Sequence, residues 1–194
     1  MAATHYLWLD LETTGLDCYS DRIMEVAAIL TGTDLVELGR NHVVLPLDDT
    51  AWDRLRSNAF VFGMHAKTGL LAECAETKNV DGQALHAADH YLSLVICRLI
   101  PDGVEANIRL AGSGVSHFDL AFVRRFLPKT MQLLDWRPFD VGQMEEWFVH
   151  CGLPTYDDTY PGEKARKTHR AMDDIEYHLS EARWYVQQLK GLNP

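Results

Sequence analysis

Two carboxylates at alternate positions, Asp10 and Glu12, interrupt an apolar stretch near the start of the chain, Tyr6-Leu7-Trp8-Leu9-Asp10-Leu11-Glu12-Thr13-Thr14-Gly15. The apolar residues predict a strand, and residues two apart in a strand share one face. Asp10 and Glu12 are then neighbours at the strand's end, where like charges repel unless a cation lies between them. Other acids fall where they can reach the same point. Asp119 follows the small-residue stretch Gly112-Ser113-Gly114 at a strand-to-helix turn, the usual place for site residues in an α/β sheet. In the last predicted helix, at about 100° per residue, Ala171, Ile175, His178, Leu179, Ala182 and Tyr185 form one apolar stripe. Asp174 lies on the edge of that stripe and Asp173 points nearly opposite, so Asp174 is expected to face the site and Asp173 water. His169 sits five positions before Asp174, at or before the first turn, and approaches from the loop side.

Singly, each acid has an ordinary explanation: an exposed turn, a helix N-terminal acid stabilised by the dipole, one of a solvated pair. Their joint placement argues for a metal site, because four carboxylates do not stay ionised together without cations. Hard oxygen ligands with open coordination suit Mg²⁺ or Mn²⁺ rather than zinc.

The surrounding elements must hold these groups. Arg22 to Leu30 reads as a second, largely buried strand, and a third runs through Val36 toward Leu45, so the chain opens as an antiparallel meander. From Asp48 to about Asn79 the pattern is irregular, and Trp52, Phe60, Phe62 and Met64 are expected to cover the core under a long loop. Leu85, Ala88, Leu92, Val95, Ile96 and Leu99 recur at helical spacing. Asn107 to Ala111 is a fourth strand, and Met131 to Phe139 contains a short fifth. Asp140 fits an N-cap with Gln143 at N3, opening a further helix, and Tyr156 to Lys167 reads as a mobile loop. These elements predict an α/β fold with a five-stranded sheet.

At 194 residues and 47% hydrophobic composition, one core is expected, with residues 1–194 forming a single domain. No stretch reads as a signal peptide or reaches membrane-spanning length, so a cytoplasmic protein with no membrane partner is expected. Cys18, Cys74, Cys97 and Cys151 are dispersed, which predicts reduced thiols. The net charge of −10 argues against a protein that grips long nucleic acid by neutralising many phosphates, a mode that needs a basic face. A short substrate needs only a few local cations, and two groups exist: Arg124, Arg125 and Lys129, and Lys164, Arg166, Lys167 and Arg170.

Three motifs carry a resemblance. Leu9-Asp10-Leu11-Glu12-Thr13-Thr14-Gly15-Leu16, Ser116-His117-Phe118-Asp119 and Thr168-His169-Arg170-Ala171-Met172-Asp173-Asp174 resemble, in order, the three motifs of the DEDDh branch of 3′-to-5′ exonucleases. Within that branch the chain is most similar to oligoribonucleases. Met64 to Leu70 resembles their His-Thr-Ala-Ser-Gly-Leu segment, and Arg137 three residues before Asp140 resembles their Arg-x-x-Asp-Val segment. The resemblance implies an RNase H-like exonuclease fold, a five-stranded mixed sheet flanked by helices, and hydrolysis of short oligoribonucleotides to 5′-mononucleotides. It implies two divalent ions, Mg²⁺ or Mn²⁺, held by Asp10, Glu12, Asp119 and Asp174, with His169 as general base.

It also implies that Leu16 and Phe60 wedge the bases and that His65, Arg137 and a serine hold the 5′-phosphate. Ser113 and Ser116 are both candidates for that serine. Phe60 stands where the family carries tryptophan, and Gly142 where it carries a serine. A homodimer is implied, with Trp136 either at the contact or packed at a strand end. Two other readings remain: a DNA 3′-to-5′ exonuclease of proofreading or repair type, and a non-catalytic RNase H-like module that binds nucleic acid or a partner.

Overall fold

The computed structural model describes residues 4–77, 83–100, 106–159 and 167–191. Strands β1 (His5–Thr13), β2 (Ile23–Gly32), β3 (Glu37–Val44), β4 (Ile108–Gly112) and β5 (Phe139–Asp140) join in the order β3-β2-β1-β4-β5. The β1–β2 and β2–β3 pairs are antiparallel, whereas β1–β4 and β4–β5 are parallel, so the sheet is mixed as expected. Helices α1 (Asp49–Ser57), α2 (Ala59–Lys67), α3 (Leu70–Glu76) and α4 (Ala84–Leu99) lie between β3 and β4. They are followed by α5 (Asp119–Phe126), α6 (Pro128–Met131), α7 (Val141–His150), α8 (Tyr156–Thr159) and α9 (Ala171–Gly191).

The central strand is buried on both faces, and its alternation decides which helix each residue meets. Leu7, Leu9 and Leu11 pack with Val26, Ala28 and Leu30 under α4 and α5. Trp8 turns the other way, to Ala27, Ile29 and the apolar stripe of α9. Asp10 and Glu12 continue the Trp8 face, so the period of two carries both acids toward the start of α9. Opposite Asp10 the register places Ala27, a methyl that leaves room, and opposite Glu12 it places a second glutamate, Glu25. β4 stops beside β1 at Gly112, where a Cβ would meet the Leu9 carbonyl oxygen at 3.1 Å.

Several local expectations differ from the fold. The Asp48–Asn79 stretch is not a loop over residues 48–77: α1, α2 and α3 occupy most of it, started by Asp48 and Asn58, whose side chains accept N–H bonds from Ala51 and Val61. Asn79 lies outside the described residues. Trp52 and Phe62 do pack on a small core of Met24, Leu55, Val61, Leu70 and Cys74, but Phe60 points to solvent. The fifth strand is shorter than the Met131–Phe139 stretch; Pro128 starts a helical turn at its head, and Leu134 makes only an isolated bridge to Ile108. Tyr156–Thr159 is a helical turn, and residues 160–166, with Lys164 and Arg166, lie outside the described residues. All four cysteines are free thiols. No helix among the described residues is long and apolar enough to cross a membrane.

Candidate active site

Ligand atoms of Asp10, Glu12 and Asp174 lie within 4.8 Å of one another. β1 supplies the first two, and the first turn of α9 supplies the third. Asp173, one residue earlier, is exposed, as the helical period required. Asp119 enters from the start of α5, where its Oδ1 accepts the Leu11 N–H at 3.1 Å, so its carboxyl is tied to the backbone between Asp10 and Glu12. Four acids distant in sequence thus converge at one end of the sheet.

Their electrostatics are those of buried carboxylates that repel one another. Burial raises the Asp10 carboxyl well above its ordinary range, and the charges of Asp119, Glu12, Asp174 and Glu25 raise it further. Glu12 is pushed from 4.5 to about 8, first by burial and then by Asp174, Glu25 and Asp119, with Arg170 opposing. Burial lifts Asp119 from 3.8 to about 7 despite backbone hydrogen bonds that include the Leu11 N–H. Asp174 is raised too, burial outweighing the Thr168 N–H and His169. Beside Glu12, at 3.8 Å from its Oε2, the buried Nδ1 of His65 has no hydrogen-bond partner. Clustered hard oxygen donors and their mutual repulsion fit a divalent metal ion.

A consequence for stability follows. In metal-free protein Glu12 titrates near 8 when folded and near 4.5 when unfolded, so between those values the folded chain holds a proton that the unfolded chain has released. Its stabilising contribution is full below about pH 4.5 and is lost as pH rises through about 8. Asp119 acts in the same direction between 3.8 and about 7. Melting of the metal-free protein across this range should therefore show a fall toward alkaline pH that Glu12→Gln flattens. Saturating Mn²⁺ should recover most stability at the alkaline end.

His169 is exposed at the mouth of the site in a left-handed backbone conformation, φ 58°. It borders a cleft of about 860 Å³ with Phe60, Met64, Lys67, Thr168 and Arg170. A neighbouring cleft of about 450 Å³ holds Leu16, Arg54 and Asn58, and Ala59 lines both. Leu16 and Phe60 are large apolar side chains left 82% and 79% exposed there, an arrangement with no packing purpose.

The remaining expected site residues separate into two neighbourhoods. His65 has 0% exposure; its ring donates from Nε2 to the Thr13 carbonyl at 3.0 Å, and burial holds its pKa below the ordinary value. It therefore faces Glu12 from within the fold. Arg137 instead bonds Asp135, with its guanidinium 5.0 Å from the Trp136 ring centroid. Around the Asp140 cap, Ser116 Oγ donates to Oδ2 at 2.9 Å, and the Gly114 and Gly142 N–H groups donate to Oδ1. Ser113 Oγ stands 2.8 Å from the position a Cβ on Gly142 would take. Trp136 is 74% exposed, which excludes the packed reading within this chain.

Two residues that shape the site were not assigned to it, Glu25 outside the motifs and Arg170 within the third. Glu25 is fully buried, accepting from Arg170, from the Ala171 N–H at 3.1 Å and in contact with His42 Nε2 at 2.6 Å. Burial alone would raise its carboxyl, but the bonds from His42, Arg170 and Ala171 outweigh burial and hold it below the ordinary value. The available signal was an acid inside the apolar run Ile23–Leu30, which requires a buried partner. Arg170, which stands in the third motif and was given no role beyond its place in a cationic group, is that partner.

Comparisons with known proteins place this geometry. The fold is that of RNase H-like 3′-to-5′ exonucleases: exonuclease I of E. coli in complex with single-stranded DNA superposes with a TM-score of 0.62 at 15% identity. Exonuclease I from Methylocaldum szegediense superposes with a TM-score of 0.61 at 17% identity. The chain is covered to 96% in both, yet spans only 41% of either exonuclease. No protein-family model matches. Among curated proteins, the oligoribonuclease of Mycobacterium leprae is 33% identical over 181 residues, covering 92% of this chain and 78% of that protein. The Francisella tularensis subsp. novicida oligoribonuclease is 27% identical over 98% and 99%, and the human mitochondrial one 29% over 94% and 72%. The chain belongs to the oligoribonuclease family.

Proposed function

We propose that this chain is a 3′-to-5′ exoribonuclease that trims short single-stranded oligoribonucleotides to 5′-mononucleotides. The observation that carries the reading is the meeting of Asp10, Glu12 and Asp174 within 4.8 Å, with His169 interacting with Asp174. These acids and Asp119 would hold two Mg²⁺ or Mn²⁺ ions, which when bound polarise the phosphoryl group and lower the pKa of water. Asp10, on which the charges of both Asp119 and Glu12 act, would be the ligand shared by the two ions, and Glu12 and Asp174 would serve the side of the attacking water. A ring nitrogen of His169 takes a proton from that water, a task suited to an imidazole. The water oxygen bonds to phosphorus as the bond to the 3′-oxygen breaks. The shortened chain leaves as a 3′-hydroxyl.

Leu16 and Phe60 wedge the bases, and their exposure supports that role. Phe60→Ala should raise KM for a 5′-phosphorylated diribonucleotide by about tenfold with kcat little changed, the loss of one stacking contact. An unchanged KM would remove Phe60 from the substrate. Arg137 and a serine hold the 5′-phosphate. Ser116 is committed to Asp140, which favours Ser113, whose hydroxyl fills the space a side chain at 142 would need. His65 supports Glu12 and the end of β1 from beneath. A homodimer through exposed Trp136 fits the same picture, and light scattering on wild type and Trp136→Ala would decide it.

The function is tested by cleavage of 5′-phosphorylated di- to pentaribonucleotides against their deoxy counterparts, with Mg²⁺, with Mn²⁺ and with EDTA. Metal-dependent release of 5′-mononucleotides, fastest on the shortest RNA, is expected. Preference for deoxy or long substrates would favour the DNA exonuclease, and inertness toward all would favour a binding module.

A further inference from the structure

His169 keeps an uncommon backbone. A non-glycine residue at φ 58° occupies a sparsely populated region that persists only where neighbours over-determine it. Both neighbours are anchored. On one side the Thr168 N–H donates to Asp174 Oδ1 at 2.9 Å and Thr168 Oγ1 to Asp173 Oδ2 at 2.6 Å. On the other, Arg170 spans two carboxylates. Its Nε and Nη2 donate to Glu25 Oε1 at 3.1 and 3.0 Å, while Nη1 and Nη2 donate to Glu73 at 2.7 and 2.8 Å. The next N–H, of Ala171, also ends on Glu25.

The far ends of this bridge matter. Glu25 stands directly opposite Glu12 in the β1–β2 register, and Glu73 lies on α3, just past the helix that carries Phe60 and His65. Planar guanidinium forks fix direction as well as distance, so the arrangement specifies where residue 169 sits relative to Glu12. The Glu25 side chain is 1% exposed and the Arg170 side chain 20%, so the pair is shielded from salt and competing water.

We propose that Arg170 is a positioning residue for His169, and that its bridge to Glu25 and Glu73 couples that histidine to the strand pair carrying Glu12. Arg170 touches no reacting atom. The backbone of 168–170 is held from both sides, so His169 meets the water by side-chain rotation on a fixed base. The inference rests on the proposed role of His169.

A double-mutant cycle of Arg170→Gln and His169→Asn separates the two, since asparagine tolerates the left-handed backbone. kcat and KM for a 5′-phosphorylated diribonucleotide are measured at saturating Mn²⁺, together with Mn²⁺ affinity and melting. Arg170→Gln should lower kcat by about tenfold, the scale of a misplaced catalytic group, with KM and Mn²⁺ affinity within about twofold. In the His169→Asn background the same substitution should cost nothing further, and Arg170→Lys should recover part of the rate. Losses that multiply across the cycle, or that track weakened Mn²⁺ binding, overturn the coupling. A fully active His169→Asn variant overturns the base assignment instead. Should Arg170→Gln not fold, Glu73→Gln cuts one arm at a side chain 45% exposed and leaves Glu25 paired. The same cycle then expects a smaller kcat loss that again vanishes without His169, and a loss that persists overturns the proposal.

Discussion

Asp10→Asn is expected to lower kcat on a 5′-phosphorylated diribonucleotide by at least ~10³-fold, the loss of several kcal/mol of charge stabilisation from displaced metal. Of the four acids, Asp10 is the one whose carboxyl feels Asp119, Glu12, Asp174 and Glu25 together. Asparagine keeps the shape and removes the charge. The same substitution relieves repulsion in metal-free protein, so the melting temperature without metal should rise while Mn²⁺ binding weakens. Activity and stability move in opposite directions, which separates a ligand from a structural acid. A variant that keeps its rate, or melts lower without metal, would remove Asp10 from the centre of the site.

His169→Ala should slow hydrolysis by ~10²-fold or more while sparing Mn²⁺ binding, the contribution of general base catalysis. Alanine also disturbs a left-handed backbone position, so His169→Asn, expected to lose the same rate with a more native loop, isolates the imidazole. Wild-type rates for asparagine would transfer the proton to another group.

The clustered acids were legible because their side-chain directions follow from local periodicity. The alternation of Trp8, Asp10 and Glu12 and the helical position of Asp174 put each on the correct face before any tertiary contact is known. The antiparallel start of the sheet was equally local, since short connections between β1, β2 and β3 leave little choice. The stretch after Asp48 was not. Its helices are only seven to nine residues long, too short for a helical stripe to stand out, and they hold their shape by caps and by packing on Met24 and Leu55.

By itself, then, the amino-acid sequence marked Asp10, Glu12, Asp119, Asp174 and His169 as candidates for one site, and its periodicity predicted the face on which Asp10, Glu12 and Asp174 meet. Tertiary structure alone decided how that chemistry is held. Glu25 and Arg170 are 145 positions apart, and their pairing depends on the β1–β2 register and the entry of α9, which no local period encodes. His65 likewise reads as a surface ligand by its motif and is buried against Glu12 because α2 forms and packs there. Side-chain direction is a property of the local backbone, whereas the partner met in that direction is a property of the whole fold.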